Sequence, residues 1–154
     1  MRWEGVQDRM DKQDLMEYQK LKREQMLLFR RIKALQAKDV PTVAGKVKAS
    51  SREFPYTEHR VSVQMHEPVE IARINRMMQI YKERQKKVEQ QMLEIETFID
   101  SIEDTEIRQI FEMRFIEGRK LWEIAEVVHL ERSVIGKKIT HFLQFAHNAQ
   151  KSML

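Results

Sequence analysis

Between Ile71 and Ile102 the chain carries a pattern that few folds can accommodate. Ile71, Ile74, Met78, Tyr81, Gln85, Val88, Met92, Ile95, Ile99 and Ile102 follow one another at alternating intervals of three and four residues. A mean repeat of 3.5 residues keeps a narrow apolar seam on one side of a helix and calls for a partner helix supercoiled along it. Pro68 suits the first turn of that helix, because its missing N–H would have had no partner there. Ser101 followed by Asp104 resembles a capping box and marks the start of the next helix.

A matching seam lies upstream. Residues 8–37 read as one long helix in which Tyr18, Leu21, Gln25, Leu28, Ile32 and Leu35 repeat the same alternation, with Leu15, Leu27 and Phe29 widening the stripe near its ends. Asp39-Val40-Pro41 stops it, since proline cannot continue a helix and disfavours helical geometry in the residue before it. At 1.5 Å per residue the two helices are about 45 and 50 Å long. The simplest arrangement is an antiparallel hairpin in which each seam covers the other, and a parallel dimer through either seam is the rival. Gln25 and Gln85 fall at seam positions where a polar residue can set register and oligomeric state.

The connection of residues 40–67 is longer than a compact domain usually leaves without structure. Val61, Val63 and Met65 alternate with polar residues, which predicts a short strand, paired in a small hairpin with the stretch around Val47. Phe54-Pro55-Tyr56 reads as an aromatic-flanked turn. The segment is either a structured cap on the coiled coil or a contact surface for nucleic acid through Lys46, Lys48, Arg52 and Arg60.

Composition agrees with long helices having wide solvated faces. Charged residues make up 34% of the 154, against about 25% in an ordinary domain, and there are only four glycines and three prolines. With no cysteine, disulfides and thiolate metal sites are excluded. The first residues lack the apolar core of a signal peptide, and no run approaches the roughly 18 apolar residues of a membrane span. The expectation is a soluble protein of the cytoplasm. The net charge is only +4, but its placement is informative: Arg132, Lys137, Lys138 and Lys151 are followed or separated by no Asp or Glu. The nearby acids, Asp104, Glu106, Glu112, Glu117, Glu123, Glu126 and Glu131, all lie upstream, which concentrates positive charge on the last helix.

Residues 104–142 contain three amphipathic segments. Ile107, Ile110, Phe111 and Phe115 give a supporting helix its apolar face; Leu121, Ile124, Ala125 and Val128 serve a second helix; Leu130, Ile135, Ile139 and Phe142 serve a third. Only His129-Leu130-Glu131 separate the second from the third, and Ala125 is small enough for close crossing. Two short helices joined by about three residues, the second rich in cations and small polar side chains, suit a DNA major groove. Trp122 is assigned to the core, and Trp3 has no clear place.

Glu112-Met-Arg-Phe-Ile-Glu-Gly118, Trp122-Glu-Ile-Ala-Glu126 and Ser133-Val-Ile135 resemble region 4 of sigma-70-type factors. From about Val40 onward the chain is similar to late-gene transcriptional activators of phages and prophages, of the RinA and ArpU types. In that group a helical N-terminus and a small-Ser-Ser…Phe-Pro-Tyr insert precede a sigma-like helix-turn-helix; here the insert is Ala49-Ser-Ser-Arg-Glu-Phe-Pro-Tyr-Thr57. Two residues depart from the pattern: His129 stands where such turns carry glycine, and Glu131 replaces a serine-type cap.

The resemblance implies a DNA-binding transcriptional regulator, an activator of late genes, acting in the bacterial host cytoplasm. Base edges are expected at Arg132, Ser133, Gly136 and Lys137, phosphates at Lys138, Thr140 and His141, and a backbone grip at Arg119 and Lys120. The expected partners are duplex DNA, host RNA polymerase and a second copy of the chain through the coiled coil, with no membrane and no small-molecule substrate. The five histidines show no zinc-ligand spacing, and no phosphate loop, nucleophile elbow or carboxylate pair is present, so neither an enzyme nor a cofactor or metal is expected. The rival functions are a small terminase subunit on a packaging site and a sigma-like module that docks RNA polymerase without DNA.

The fold class expected is therefore all-α. An antiparallel coiled-coil arm spans 8–102, built from helices 8–37 and 68–102, with a small β-containing insert over 40–67 at its tip. A sigma region 4-like helix-turn-helix domain covers 103–147.

Overall fold

The computed structural model describes residues 10–38, 42–50, 58–66 and 68–152. Trp3, Arg52, the Phe54-Pro55-Tyr56 turn and the Asp39-Val40-Pro41 stop lie outside the described residues, as does the expected helix start at Asp8. Among the described residues the architecture is helical, with five α-helices: α1 (Lys12–Gln36), α2 (Pro68–Asp100), α3 (Thr105–Phe111), α4 (Leu121–Val128) and α5 (Arg132–Ser152). Strands β1 (Thr42–Ser50) and β2 (Glu58–His66) lie between α1 and α2 and pair antiparallel, with Val47 opposite Val61. The chain divides into two compact units, residues 28–85 and residues 1–27 with 86–154.

In the unit of residues 28–85, Leu28 and Ile32 are buried, and Leu35, Ile71, Ile74, Met78, Tyr81 and Gln85 are half-buried. The Arg31 guanidinium sits over the Tyr81 ring at 5.7 Å, and Lys38 Nζ donates to Glu70 Oε1 at 2.8 Å. A step forward along α1, from Arg31 to Lys38, thus corresponds to a step backward along α2. Phe29 lies outside this seam, 52% exposed, and Leu27 is 45% exposed. Both flank Leu28 by about 100° on the helix, so they do not widen the buried stripe as expected.

In the other unit α1 opens on a reciprocal cap. The Asp14 N–H donates to Asp11 Oδ1 at 2.8 Å and the Asp11 N–H to Asp14 Oδ2 at 3.0 Å, satisfying two amides that a helix start leaves unpaired. Leu15 and Tyr18 are buried, and so are Val88, Met92, Ile95, Ile99 and Ile102 along the end of α2. Ile110, Phe111, Met113, Phe115, Ile124, Ile135 and Ile139 supply the remaining core. Phe111 packs at 5.3 Å between centroids against both Phe115 and Phe142, the latter edge-on. Each such large apolar side chain contributes about 1.5–3 kcal/mol by burial.

Three local expectations are corrected. Ser101 does not open α3: its hydroxyl donates to the Phe98 carbonyl at the end of α2, and Asp104 is the cap, accepting from the Ile107 N–H at 3.0 Å. The supporting helix is not uniform; α3 gives way at Glu112–Ile116 to a π-helical turn. Trp122 is 49% exposed instead of buried, because Ile124, fully buried, sets the inner side of α4 and Trp122 sits about 200° of helix rotation before it.

Candidate nucleic-acid interface

The geometry around α5 begins with how α3 ends. The wide π turn and its close leave the Phe115 and Ile116 carbonyls facing outward, and Gln19 Nε2 of α1 donates to both, at 2.9 and 2.7 Å. The Glu117 N–H bonds back to Glu112, the Arg119 N–H to Met113 at 2.9 Å, and Gly118 takes φ +70 between them. That closure is one residue longer than the usual glycine-terminated helix end. A Cβ on Gly118 would lie 2.9 Å from the Gln19 amide carbon and would push that side chain off the two carbonyls.

α4 then starts at Lys120, whose N–H donates to Glu123 Oε2 at 2.7 Å. It ends on His129, held at φ 57 and ψ 39 with its N–H on the Ala125 carbonyl. Leu130 donates to the same carbonyl at 3.3 Å, and the Glu131 carbonyl accepts from Val134 and Ile135. The link between α4 and α5 is therefore the three residues His129, Leu130 and Glu131.

Ile135, fully buried, and Ile139, 2% exposed, fix the inner side of α5. At about 100° per residue the opposite side carries Ser133, Lys137, Thr140, His141 and Gln144, and all five are exposed. Four of these were expected from the sequence. Gln144 was not, although its place seven residues after Lys137 is the signal that would have found it. No Asp or Glu occurs anywhere on α5. The Thr140 hydroxyl donates to the Gly136 carbonyl at 3.0 Å, a bond that competes with its use toward a ligand. Gly136 is half-buried on the flank, and an added Cβ would meet nothing within 4 Å, so packing does not require glycine there.

The other expected residues do not join this row. Arg132 is the exposed first residue of α5, in angular line with Ile135 and Ile139 and not with the outward row. Lys138 turns toward α3, where Nζ donates to Glu106 Oε1 at 2.8 Å. The bond and the charge of Glu106 raise the Lys138 pKa above its ordinary value. Lys138 is thus a tie between α5 and α3. Arg119 pairs with Glu117, and its carbonyl accepts from the Arg114 guanidinium at 3.0 Å; the Lys120 side chain is exposed.

No protein-family model, curated protein or solved structure matches the chain. Among the described residues no three His, Asp or Glu side chains gather as metal ligands, and no helix is long and apolar enough to cross a membrane.

Proposed function

We propose that the chain is a phage or prophage transcriptional regulator that reads duplex DNA with α4 and α5 acting as a helix-turn-helix, while α1 and α2 form an antiparallel coiled-coil arm. The observation that carries this reading is the outward row Ser133, Lys137, Thr140, His141 and Gln144. It is exposed, polar and free of carboxylates, on a helix entered through a three-residue turn. These side-chain types donate to base edges and phosphates, and a helix presenting them fits the major groove. The likeness to sigma region 4 and to late-gene activators supports the same reading. The arm is supported by the alternating seams and by the opposite running of the Arg31–Tyr81 and Lys38–Glu70 contacts.

Genomic DNA captured by the full chain and sequenced should be enriched at a promoter-proximal site, and a variant with Ser133, Lys137 and His141 replaced by alanine should lose that preference. None of the three belongs to the core, so circular dichroism should be unchanged. Equal enrichment by the variant would sink the reading. A second reading, docking of a protein such as RNA polymerase, is favoured by Trp122, an aromatic left 49% exposed on α4. Aromatics of this kind are common anchors in protein interfaces. Capture of polymerase lost on Trp122→Ala, with no DNA bound, would decide for it.

A further inference from the structure

The molecule's positive charge is not where the outward row of α5 would put it. Residues 1–27 and 86–154 hold sixteen Lys and Arg against eighteen Asp and Glu, a net charge of −2. Residues 28–85 carry +6, with twelve against six. The excess lies entirely in the two helical stretches of this unit, 28–38 and 68–85, where eight cations face only Glu70 and Glu83; the connection 39–67 is balanced at four and four.

The cations of α2 are also aligned. Arg73, Arg76 and Arg84, with Ile80 between them, are spaced by three, four and four residues, and Lys87 follows three residues on. That spacing keeps them on one side of the helix, away from Ile74, Tyr81 and Gln85, and all four cations are exposed. From Arg73 to Arg84 the row is about 17 Å long, over which one strand of a duplex carries about five phosphates. Counter-charge is scarce. Glu70 is already held by Lys38 at 2.8 Å, a bond that lowers its pKa, and Arg73 reaches only its other oxygen, at 3.9 Å. Arg76 and Arg84 form no ion pair with a described residue. Uncompensated charge of one sign strains a folded surface through self-repulsion, which a polyanion relieves.

We propose that this face of α2 binds the sugar-phosphate backbone of duplex DNA, independently of sequence, in addition to the contact made by α5. The choice of duplex DNA as partner rests on the function proposed above. The arm supplies the long-range attraction and most of the salt dependence, and α5, whose outward row includes a single lysine, supplies the discrimination.

The test is equilibrium binding of the full chain to cognate and random duplexes between about 50 and 200 mM salt. Arg73→Gln, Arg76→Gln and Arg84→Gln together should flatten the log–log salt slope by about 2.7, the value for three lost phosphate contacts, and weaken binding to every sequence alike. The corresponding triple Arg→Lys variant should restore both. An arm variant with unchanged slope and affinity overturns the proposal and leaves the α5 reading standing. Collapse of binding in the arm variant, with sequence preference intact in the Ser133/Lys137/His141 alanine variant, upholds the arm and overturns α5. Competition by polyglutamate equal to that by duplex, at equal charge, would assign the face to acidic proteins and overturn the proposal. Absence of any duplex binding by the unaltered chain would overturn both.

Discussion

Two residues of the C-terminal segment sit in left-handed backbone, and they are not equivalent. Gly118 at φ 70 is required by its conformation, whereas the Gln19 amide 2.9 Å from where a Cβ would stand ends a flexible side chain that can swing aside. His129 at φ 57 closes α4 without that freedom. A side chain in this region costs about 1–2 kcal/mol relative to the right-handed alternative. His129→Gly should therefore raise the melting temperature, by about 2–4 °C for each kcal/mol recovered in a chain of this size. An equal or lower melting temperature in calorimetry would mean that the imidazole compensates through contacts of its own. The conflict at His129 was legible in the sequence, because its place in the turn is one glycine commonly fills. The exposure of Trp122 follows from its helical phase, two residues from buried Ile124, which outweighs its size. The tie of Lys138 to α3 was not legible, because its partner Glu106 lies thirty-two residues upstream and nothing local announces the pairing.

Among the elements, helices α1 and α2 and their less exposed sides were legible because one period persisted through each helix. The π turn at Glu112–Ile116 was not, since its carbonyls are satisfied by Gln19, almost a hundred residues earlier. The same stretch of α1 brings buried Tyr18 to Glu96 of α2, where the phenol donates to Oε1 at 2.5 Å. Burial chiefly, then that bond and the carboxylate's charge, push the Tyr18 pKa up to about 12 from 10.0. Because the folded pKa is the higher one, the stability tied to the neutral phenol is complete below pH 10 and is lost as pH climbs from 10 toward 12. Denaturation followed across this window should show a loss of stability in the native chain that Tyr18→Phe lacks. Superimposable pH curves for the two proteins would show that the α1–α2 bond does not control this titration.

At the scale of the whole molecule, the unit of residues 28–85 is entered and left through the interiors of α1 and α2, and the other unit is assembled from both ends of the chain. Gln25 and Gln85, the half-buried polar members of the two seams, fall within three residues of these crossings. Topologically the 28–85 unit is an inset, and on the proposed hairpin its length is quantised. Removing seven residues from each helix, 28–34 and 78–84, would bring Leu35 and Gln85 into the vacated seam places of Leu28 and Met78. The arm would shorten by about 10 Å with every remaining seam residue in phase. The late-titrating Tyr18, whose partner Glu96 lies outside the inset, should survive such a paired deletion, and its loss would sink the idea. The length of this inset would then be adjustable in whole heptads, with the outward row of α5 left as it was.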